Sequence, residues 1–425
     1  VGKSEGRPNE ESLSRLKIPL DSEIALNRHD NGFTPFEHYG GLYPEPIVHD
    51  GVGYNDYLLS QGYEMHNPWE NAANTATKSG LKYSGWEMRN AHLPSDIEAQ
   101  HSETAFLTNR AMEYISTRNK DTPWCLHLSY FNPHWPLLAP SPYHKMYKDS
   151  DVIGVVKDKI EMKNPHPVFS AFQQLEYSRN YTDEEKRRHV IPTYMGLISE
   201  IDHHIGRLIK FLDENNLSRN TLIIFTSDHG DYLGDHWLGE KDLFHEPSIR
   251  IPLIIVEPEM PENLRGSTEN RMIESVDVVP TLVETMGGSY ASNRMEGRSL
   301  VPLLFGDNPT WRDTVFAEID YSDRGARQIL DHHPYKCRGY MIKNTQWKYI
   351  YWEGFRAQLF DLLNDPNEFN DLAENQDQSE RLADFEKQLF TWLRQRKQRT
   401  VVHLDELYKR SPEADEKAGI IIGRW

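Results

Sequence analysis

Cysteine is nearly absent from this sequence, which has only Cys125 and Cys337 among 425 residues. Two cysteines cannot build a disulfide framework, so a small secreted scaffold held together by disulfides is excluded. We therefore expect a cytoplasmic protein. The sequence begins at Val1 without a methionine, and an export signal upstream of that residue would place the protein in the periplasm instead.

Long apolar runs and an excess of positive charge are also missing. No apolar segment approaches the roughly 20 residues that a transmembrane helix needs. The chain has 47 Lys and Arg residues against 65 Asp and Glu residues, which gives a formal net charge of −18. Because nucleic acids and anionic membranes require a basic surface, neither is expected as a partner. A length of 425 residues predicts one large domain plus a smaller one.

The segment 221–241 carries the clearest chemical signal in the chain. Its apolar residues 222–225 predict a strand buried on both faces of a parallel sheet. The strand is followed by Asp228, His229 and Gly230, and the glycine permits a sharp turn. Open α/β sheets bind ligands at the carboxyl ends of their strands, so this carboxylate and imidazole are candidate metal ligands. The alternative is a solvated turn, where Asp and His are common.

Two further polar residues are candidates for the same crevice. Lys241 follows the Asp-His pair closely, and Gly234 and Gly239 give the intervening loop the freedom to return it. Residues 124–130 predict a second buried strand, which delivers His134 to its carboxyl end. Prolines on both sides of this histidine restrict the backbone and fix its direction. Taken alone, His134 fits a structural loop residue better than a functional one.

A long helix is predicted after a capping box formed by Thr182 and Glu185. Its buried stripe consists of Tyr194, Leu197, Ile201, Ile205, Leu208 and Leu212. Glu200 and Asp202 lie near that stripe, where they are either helix-surface carboxylates or members of a buried ion pair. His203 and His204 are expected to be solvated.

The domain organisation follows from shifts in composition and periodicity. Residues 1–308 are predicted to form the main α/β domain, whose first 90 residues are loop-rich. Residues 309–399 alternate in the strand manner and end in a helix over 379–396, which predicts an α+β subdomain. Residues 400–425 are predicted to be an arm that docks on a neighbouring subunit of a homo-oligomer, a dimer or tetramer. A frayed tail is the alternative.

Several segments, in their order along the chain, resemble the sulfatases of the alkaline phosphatase superfamily, most closely the phosphonate monoester hydrolases and their arylsulfatase relatives. The matching segments are 126–136, 196–202, 227–241, 247–255, 275–282 and 359–373. The resemblance implies an α/β fold with a mostly parallel sheet flanked by helices. It also implies a smaller C-terminal antiparallel sheet with a helix.

One motif of that family is missing from the sequence. Sulfatases carry a Cys-x-Pro-x-Arg motif whose Cys or Ser becomes a formylglycine nucleophile, and neither Cys125 nor Cys337 lies in such a motif. The resemblance therefore implies that the formylglycine belongs to an N-terminal segment absent from this chain.

The resemblance also implies roles for the candidate residues. Asp228 and His229 would hold one divalent metal ion (Mn²⁺, Ca²⁺ or Mg²⁺), together with carboxylates from the absent segment. His134 and Lys241 would stabilise charge on a small-molecule sulfate ester during hydrolysis. His236 is either a residue that orients a metal ligand or a structural one. A phosphonate monoester or phosphodiester substrate is the second hypothesis, and a non-catalytic binding or scaffold protein is the third.

Overall fold

The structure is a computed structural model that describes residues 14–15, 17–19, 33–39, 41–45, 52–119 and 122–396. The α-helices of these residues are α1 Gly53–Ser60, α2 Glu103–Ser116, α3 Pro167–Gln173, α4 Glu176–Thr182, α5 Glu184–Glu214, α6 Glu246–Ile249, α7 Val278–Thr285, α8 Val301–Leu304, α9 Gly325–Ile329 and α10 Ser379–Gln395. The strands are β1 Thr75–Lys78, β2 Leu81–Ser84, β3 Ile223–Thr226, β4 Leu253–Val256, β5 Val315–Asp320, β6 Arg338–Lys343, β7 Trp347–Trp352 and β8 Gln358–Asp361. None of the described helices is long and apolar enough to cross a membrane.

The chain divides into two compact units. Unit 1 comprises residues 1–154 and 183–220, and unit 2 comprises residues 155–182 and 221–425. The predicted domain boundaries at residues 308 and 399 stay predictions. The predicted arm over 400–425 lies outside the described residues.

Helix α2 of unit 1 begins directly after a capping serine. The Ser102 hydroxyl caps the helix by accepting a hydrogen bond of 3.2 Å from the N–H of Ala105. Leu107 and Ala111 are fully buried, as expected for residues on one helical face.

Helix α5 begins one residue later than the predicted capping box requires, so that prediction is wrong. Asp183 is the capping residue, and its carboxylate accepts hydrogen bonds from the N–H groups of Glu185 and Lys186 at 3.0 and 3.3 Å. The Thr182 hydroxyl is unavailable as a cap because it donates to the carbonyl oxygen of Arg179 at 3.0 Å. A carboxylate at this position also interacts favourably with the helix dipole.

The expected environments of two side chains on α5 are also wrong. His204 is buried rather than solvated, and its Nδ1 lies 2.9 Å from a guanidinium nitrogen of Arg207. Glu200 is fully buried, yet it has no salt bridge among the described residues. The apolar stripe therefore does not account for all that this helix buries.

The described part of residues 1–90 is more regular than predicted. It contains α1, a π-helical turn at Trp69–Ala73 and the antiparallel hairpin β1–β2. Tyr39, Tyr54 and Trp69 are buried together in the apolar core of unit 1. The aromatic residues of this region therefore form a core.

Strand β3 departs from the predicted strand buried on both faces. It pairs with β4 in an antiparallel register, with Ile224 opposite Ile255, and the two form a two-stranded sheet. All pairings among the described strands are antiparallel, so the predicted parallel sheet is not formed by these residues. Because neither strand has a second partner there, Phe225 and Ile254 remain 38% and 58% exposed.

The strand predicted over residues 124–130 is also wrong. The described backbone contains only an isolated bridge at Ser129. Exposed and half-buried residues alternate along 124–128, which produces the strand-like pattern. No neighbouring strand of the described chain completes a ladder there.

Unit 2 confirms the predicted C-terminal strands and helix. Strands β5, β6, β7 and β8 form an antiparallel sheet in chain order. Helix α10 packs on this sheet with Phe385 and Leu389 buried and with Leu382 and Trp392 half-buried. A second apolar core joins Phe172, Tyr232 and Trp352.

Candidate functional site

The turn after β3 presents the predicted metal ligands side by side. His229 Nε2 lies 3.7 Å from Asp228 Oδ2. The Nδ1 of His229 donates to the carbonyl oxygen of Gly230 at 2.7 Å, so Nε2 is the nitrogen with the lone pair. Two adjacent ligands of a Ca²⁺ ion with bonds of about 2.4 Å at a right angle lie about 3.4 Å apart. The spacing of Nε2 and Oδ2 therefore suits a shared cation.

Gly230 fixes this turn against helix α6. Its N–H donates a hydrogen bond of 2.7 Å to the carbonyl oxygen of Ser248. A Cβ atom at position 230 would lie only 1.9 Å from the carbonyl oxygen of Pro247. Only glycine allows this approach, so the residue type is set by contact with α6 as well as by the turn.

The loop after Gly230 folds back on itself, so that the backbone of Lys241 contacts Ser248 of helix α6. The N–H of Tyr232 donates to the carbonyl oxygen of Glu240 at 2.9 Å. The Ser248 hydroxyl donates to the carbonyl oxygen of Lys241. Ser248 thus contacts the loop at both ends, through its carbonyl at Gly230 and its hydroxyl at Lys241.

Asp231 is a half-buried residue of this loop that the sequence analysis did not identify as a candidate. Burial raises its pKa to about 7, although the N–H of Leu233, at 3.0 Å, and the ammonium of Lys241 lower it. A carboxyl group with this pKa can accept or release a proton near neutral pH. Its position directly after Asp228-His229-Gly230 is the sequence feature that could have identified it as a candidate.

Helix α6 is anchored by buried charges. Glu246 forms ion pairs with Lys343 at 2.7 Å and with Lys348 at 2.9 Å. Burial raises the pKa of Glu246, but the two ammonium groups outweigh burial and lower it below its usual range. Lys348 is fully buried, donates to the carbonyl oxygen of Phe244 at 2.8 Å, and pairs with the buried Glu368. No pattern in the sequence predicted this network.

His236 contacts Glu161 and His245 rather than the Asp228–His229 pair. Its Nδ1 lies 2.7 Å from Glu161 Oε1, and both side chains are buried. The His236 ring stacks on the ring of His245 at 4.2 Å between centroids. These contacts favour the structural interpretation of His236 over a role in orienting a metal ligand.

His134 lies in unit 1, in a loop fixed by local contacts. Its Nδ1 donates to the carbonyl oxygen of Trp135 at 2.8 Å, and its ring packs 4.9 Å from that of Phe131. The neighbouring Asn132 side chain donates to the Thr104 hydroxyl at 3.2 Å. Because Nδ1 carries a proton, His134 can donate from Nε2 only as a charged imidazolium.

The described residues supply part of a metal centre. Asp228 and His229 provide the mixed oxygen and nitrogen donors that suit Mn²⁺, and their spacing fits one ion. No cluster of three or more His, Cys, Asp or Glu side chains able to hold a metal is found within the described ranges. Asp228 and His229 thus fit as two ligands of a site whose remaining ligands are not among those residues.

Comparison with known proteins finds two matching family models and several curated relatives. Residues 26–289 match the family model described as Sulfatase, and residues 234–396 match the model described as N-sulphoglucosamine sulphohydrolase, C-terminal. The chain is 34% identical over 343 residues to the multifunctional alkaline phosphatase superfamily protein PehA of Trinickia caryophylli, covering 75% of this chain and 64% of that protein. It is 33% identical over 286 residues to the choline-sulfatase of Rhizobium meliloti, covering 64% of this chain and 51% of that protein. The chain thus spans less than two thirds of these relatives.

Solved structures show the same fold. A phosphonate monoester hydrolase from Silicibacter pomeroyi superposes with a TM-score of 0.75 at 24% identity, covering 89% of this chain and 75% of that chain. The phosphonate monoester hydrolase of Agrobacterium radiobacter gives a TM-score of 0.73 at 25% identity, covering 88% of this chain and 74% of that chain. These likenesses confirm the predicted alkaline-phosphatase-like α/β fold class. Because the Sulfatase model matches more than half of its 425 residues, the chain belongs to the sulfatase family of the alkaline phosphatase superfamily.

Proposed function

We propose that this chain is part of a metal-dependent hydrolase of small-molecule sulfate esters. The observation that carries the proposal is the Asp228–His229 turn, which is joined through Ser248 to the loop that ends at Lys241. One segment thereby presents two metal ligands and a cation. That combination suits the recognition of an anionic tetrahedral ester.

The cofactors of the proposed enzyme are a divalent metal ion and a formylglycine. The metal ion, Mn²⁺, Ca²⁺ or Mg²⁺, would be held by Asp228 and His229 and would polarise the sulfuryl oxygens. The formylglycine would supply a geminal-diol nucleophile from polypeptide outside these 425 residues, since neither Cys125 nor Cys337 lies in the required motif.

Residues of this chain would stabilise developing charge and donate a proton. Lys241 would donate to a non-bridging sulfuryl oxygen, where negative charge grows as the ester bond breaks. His134, as an imidazolium with Nδ1 donating to Trp135, would give its Nε2 proton to the leaving alcohol. Ser248 would keep the backbone at Lys241 in place while charge develops.

A phosphonate monoester or phosphodiester substrate is the second candidate. It is favoured by the fold likeness to two phosphonate monoester hydrolases. Sulfate and phosphonate monoesters are both anionic and tetrahedral at the reacting atom, and the ligands above suit either. The third candidate is a non-catalytic binding or scaffold protein.

The discriminating experiment is a parallel assay on para-nitrophenyl sulfate and para-nitrophenyl phenylphosphonate. It should be run on the 425-residue chain and on the protein extended by its upstream polypeptide. We expect turnover only from the extended protein, with the sulfate ester as the better substrate. A higher kcat/KM for the phosphonate would establish the second candidate, and no turnover by either form would favour the third. Turnover by the 425-residue chain at about 1–10³ s⁻¹ would refute the proposed source of the nucleophile.

The proposed setting of the enzyme is the cytoplasm, and its proposed assembly is a homo-oligomer. The low cysteine content supports the first. The second depends on residues 400–425, which lie outside the described residues. Light scattering of the chain with and without those residues tests the assembly.

A further inference from the structure

Unit 1 contains a small polar cavity that the proposed reaction does not use. Its volume is about 40 Å³, enough for one ion or water molecule. The cavity lies where α2 and α5 approach the residue before β1. Its polar lining includes Asn74, Ser95, Ser102, Glu103 and Glu200.

The oxygens in this cavity have an unusual deficit of hydrogen-bond donors. Both carboxylate oxygens of Glu200, Oε1 of Glu103, Oδ1 of Asn74 and Oγ of Ser95 are buried without a hydrogen-bond partner in the described structure. Glu200 is 0% exposed and Asn74 is 3% exposed. Buried polar atoms normally have partners, so five such acceptors around one cavity require an explanation.

The orientation of two lining groups is fixed by their other contacts. Asn74 directs its amide nitrogen to the carboxylate of Glu70 at 3.4 Å, which leaves its Oδ1 unpartnered beside the cavity. Glu103 accepts a hydrogen bond from the Tyr39 hydroxyl on Oε2, which leaves Oε1 there. The contacts with Glu70 and Tyr39 therefore hold Asn74 Oδ1 and Glu103 Oε1 beside the cavity.

Two carboxylates at one buried site need positive charge. Neither Glu103 nor Glu200 has a salt bridge among the described residues. Burial raises the pKa of Glu103 to about 8, with a further increase from Glu200, and raises that of Glu200 to about 7. The Ser102 hydroxyl lowers the pKa of Glu200, although no hydrogen bond of good geometry reaches either of its carboxylate oxygens. Bound protons or a bound cation must therefore neutralise the pair.

We propose that this cavity is a structural Ca²⁺ site ligated by Glu103, Glu200 and Asn74. All of its donor atoms are oxygens, which hard cations prefer. Two carboxylates balance the charge of one divalent ion. Ca²⁺ fits better than Mg²⁺ because Ca²⁺ accepts six to eight oxygens in irregular geometry, whereas Mg²⁺ is reluctant to lose its water ligands. The ion would tie α2 to α5 and to Asn74.

The test is Ca²⁺ binding to the chain carrying Asp228→Ala, which removes the candidate catalytic metal from the measurement. Calorimetric titration should show one Ca²⁺ per chain. Adding Glu200→Gln should weaken Ca²⁺ binding at least about tenfold, because it removes a charge and an oxygen ligand. Glu185→Gln, an exposed carboxylate on the same helix, is the matched control and should bind Ca²⁺ unchanged. No Ca²⁺ binding, or equal binding by Glu200→Gln, would overturn the proposal in favour of bound protons.

A second readout locates the ion if Glu200→Gln fails to fold. Tb³⁺ substitutes for Ca²⁺ and emits when a nearby indole is excited, and Trp69 lines the cavity. Tb³⁺ emission excited through tryptophan should be displaced by Ca²⁺ and should be largely lost in Trp69→Phe. Emission that Trp69→Phe leaves unchanged would place the ion elsewhere and refute the site.

Discussion

The N–H of Gly230 donates a 2.7 Å hydrogen bond to the carbonyl oxygen of Ser248, and a Cβ atom at Gly230 would lie 1.9 Å from the carbonyl oxygen of Pro247. The turn that carries Asp228 and His229 thus rests directly on the backbone of α6. Backbone atoms cannot move aside as a flexible side chain can, so the turn depends on the missing Cβ.

Gly230→Ala should therefore displace the turn. We expect it to lower the free energy of unfolding by about 1–3 kcal/mol, the range for overpacking at a close contact, and to weaken metal uptake. Urea unfolding and Mn²⁺ titration check the two effects. Gly206→Ala is the control, because a Cβ atom at that helical position meets nothing within 4 Å. It should stabilise the protein by up to about 1 kcal/mol. Equal stability of Gly230→Ala and the parent would contradict the contact.

Asp228→Ala should remove one equivalent of tightly bound Mn²⁺ from a form of the protein with its full ligand set. The change deletes a formal charge and an oxygen ligand together, and His229 alone cannot compensate. Metal analysis of the purified variant measures the loss. Asp323→Ala, which alters an exposed aspartate of the same unit, should keep its metal. Undiminished Mn²⁺ content in Asp228→Ala would refute the assignment.

Lys348→Met should destabilise unit 2 even though methionine and lysine side chains are similar in length. The substitution leaves Glu368, whose side chain is 1% exposed, without its buried ammonium partner at one side of α6. Breaking a buried pair by removing one member typically costs about 3–5 kcal/mol. Lys387→Met on the exposed face of α10 should change stability by less than about 0.5 kcal/mol. The double variant Lys348→Met/Glu368→Leu should recover part of the loss, and failure to do so would mean that Glu368 is not the stranded charge.

Acid should destabilise the protein partly through His166. Its Nε2 donates to the carbonyl oxygen of Arg356 at 2.8 Å, its Nδ1 accepts from the N–H of Val168 at 3.3 Å, and burial lowers its pKa to about 4. The folded state therefore keeps His166 neutral, while the unfolded chain takes up a proton near pH 6.5. Stability from this group is present above pH 6.5 and is lost as pH falls toward 4, by up to about 3 kcal/mol.

The check is urea unfolding between pH 7.5 and pH 4. His166→Asn retains a capping side chain for α3 but has no imidazole to titrate, so its stability should fall less steeply with acid. His92→Asn, at an exposed histidine, should keep the slope of the parent. If the free energy of unfolding falls equally with pH in His166→Asn and the parent, another group causes the loss of stability in acid.

The sequence predicted those parts of the molecule that local patterns determine. The C-terminal sheet and helix α10 follow from alternation and from the spacing of Leu382, Phe385 and Leu389. The Asp228–His229 turn follows from a strand that ends in polar residues and glycine. Pairing partners were not predictable in this way, because the same apolar run in β3 fits a central parallel strand or an antiparallel pair with β4.

Contacts between residues distant in sequence were also not predicted. The Glu246–Lys348 pair joins positions about one hundred residues apart, and no local periodicity encodes it. Glu200 sits on a helix whose apolar stripe was identified correctly in part, yet its full burial depends on other segments of unit 1. Composition also favours exposure for any glutamate, so its burial could not be expected.

Lys241 is the residue at which a catalytic and a purely structural interpretation differ most. Its carbonyl oxygen, not its ammonium, accepts the Ser248 hydroxyl, so Lys241→Ala keeps this backbone contact. Its ammonium lies 3.3 Å from Glu240, and the two side chains are 21% and 12% exposed. The variant should therefore fold and bind metal like the parent.

In the active enzyme, removing this ammonium should lower kcat by about 10²–10³, because loss of one preorganised donor to a transition-state oxygen has that effect. KM should change less, since the charge on that oxygen grows mainly in the transition state. Lys163→Ala, an exposed lysine of the same unit, is the matched control and should leave kcat unchanged. If Lys241→Ala retains a near-parental kcat with its metal in place, the ammonium does not contact the transferred group, and the role implied by the family resemblance must be withdrawn.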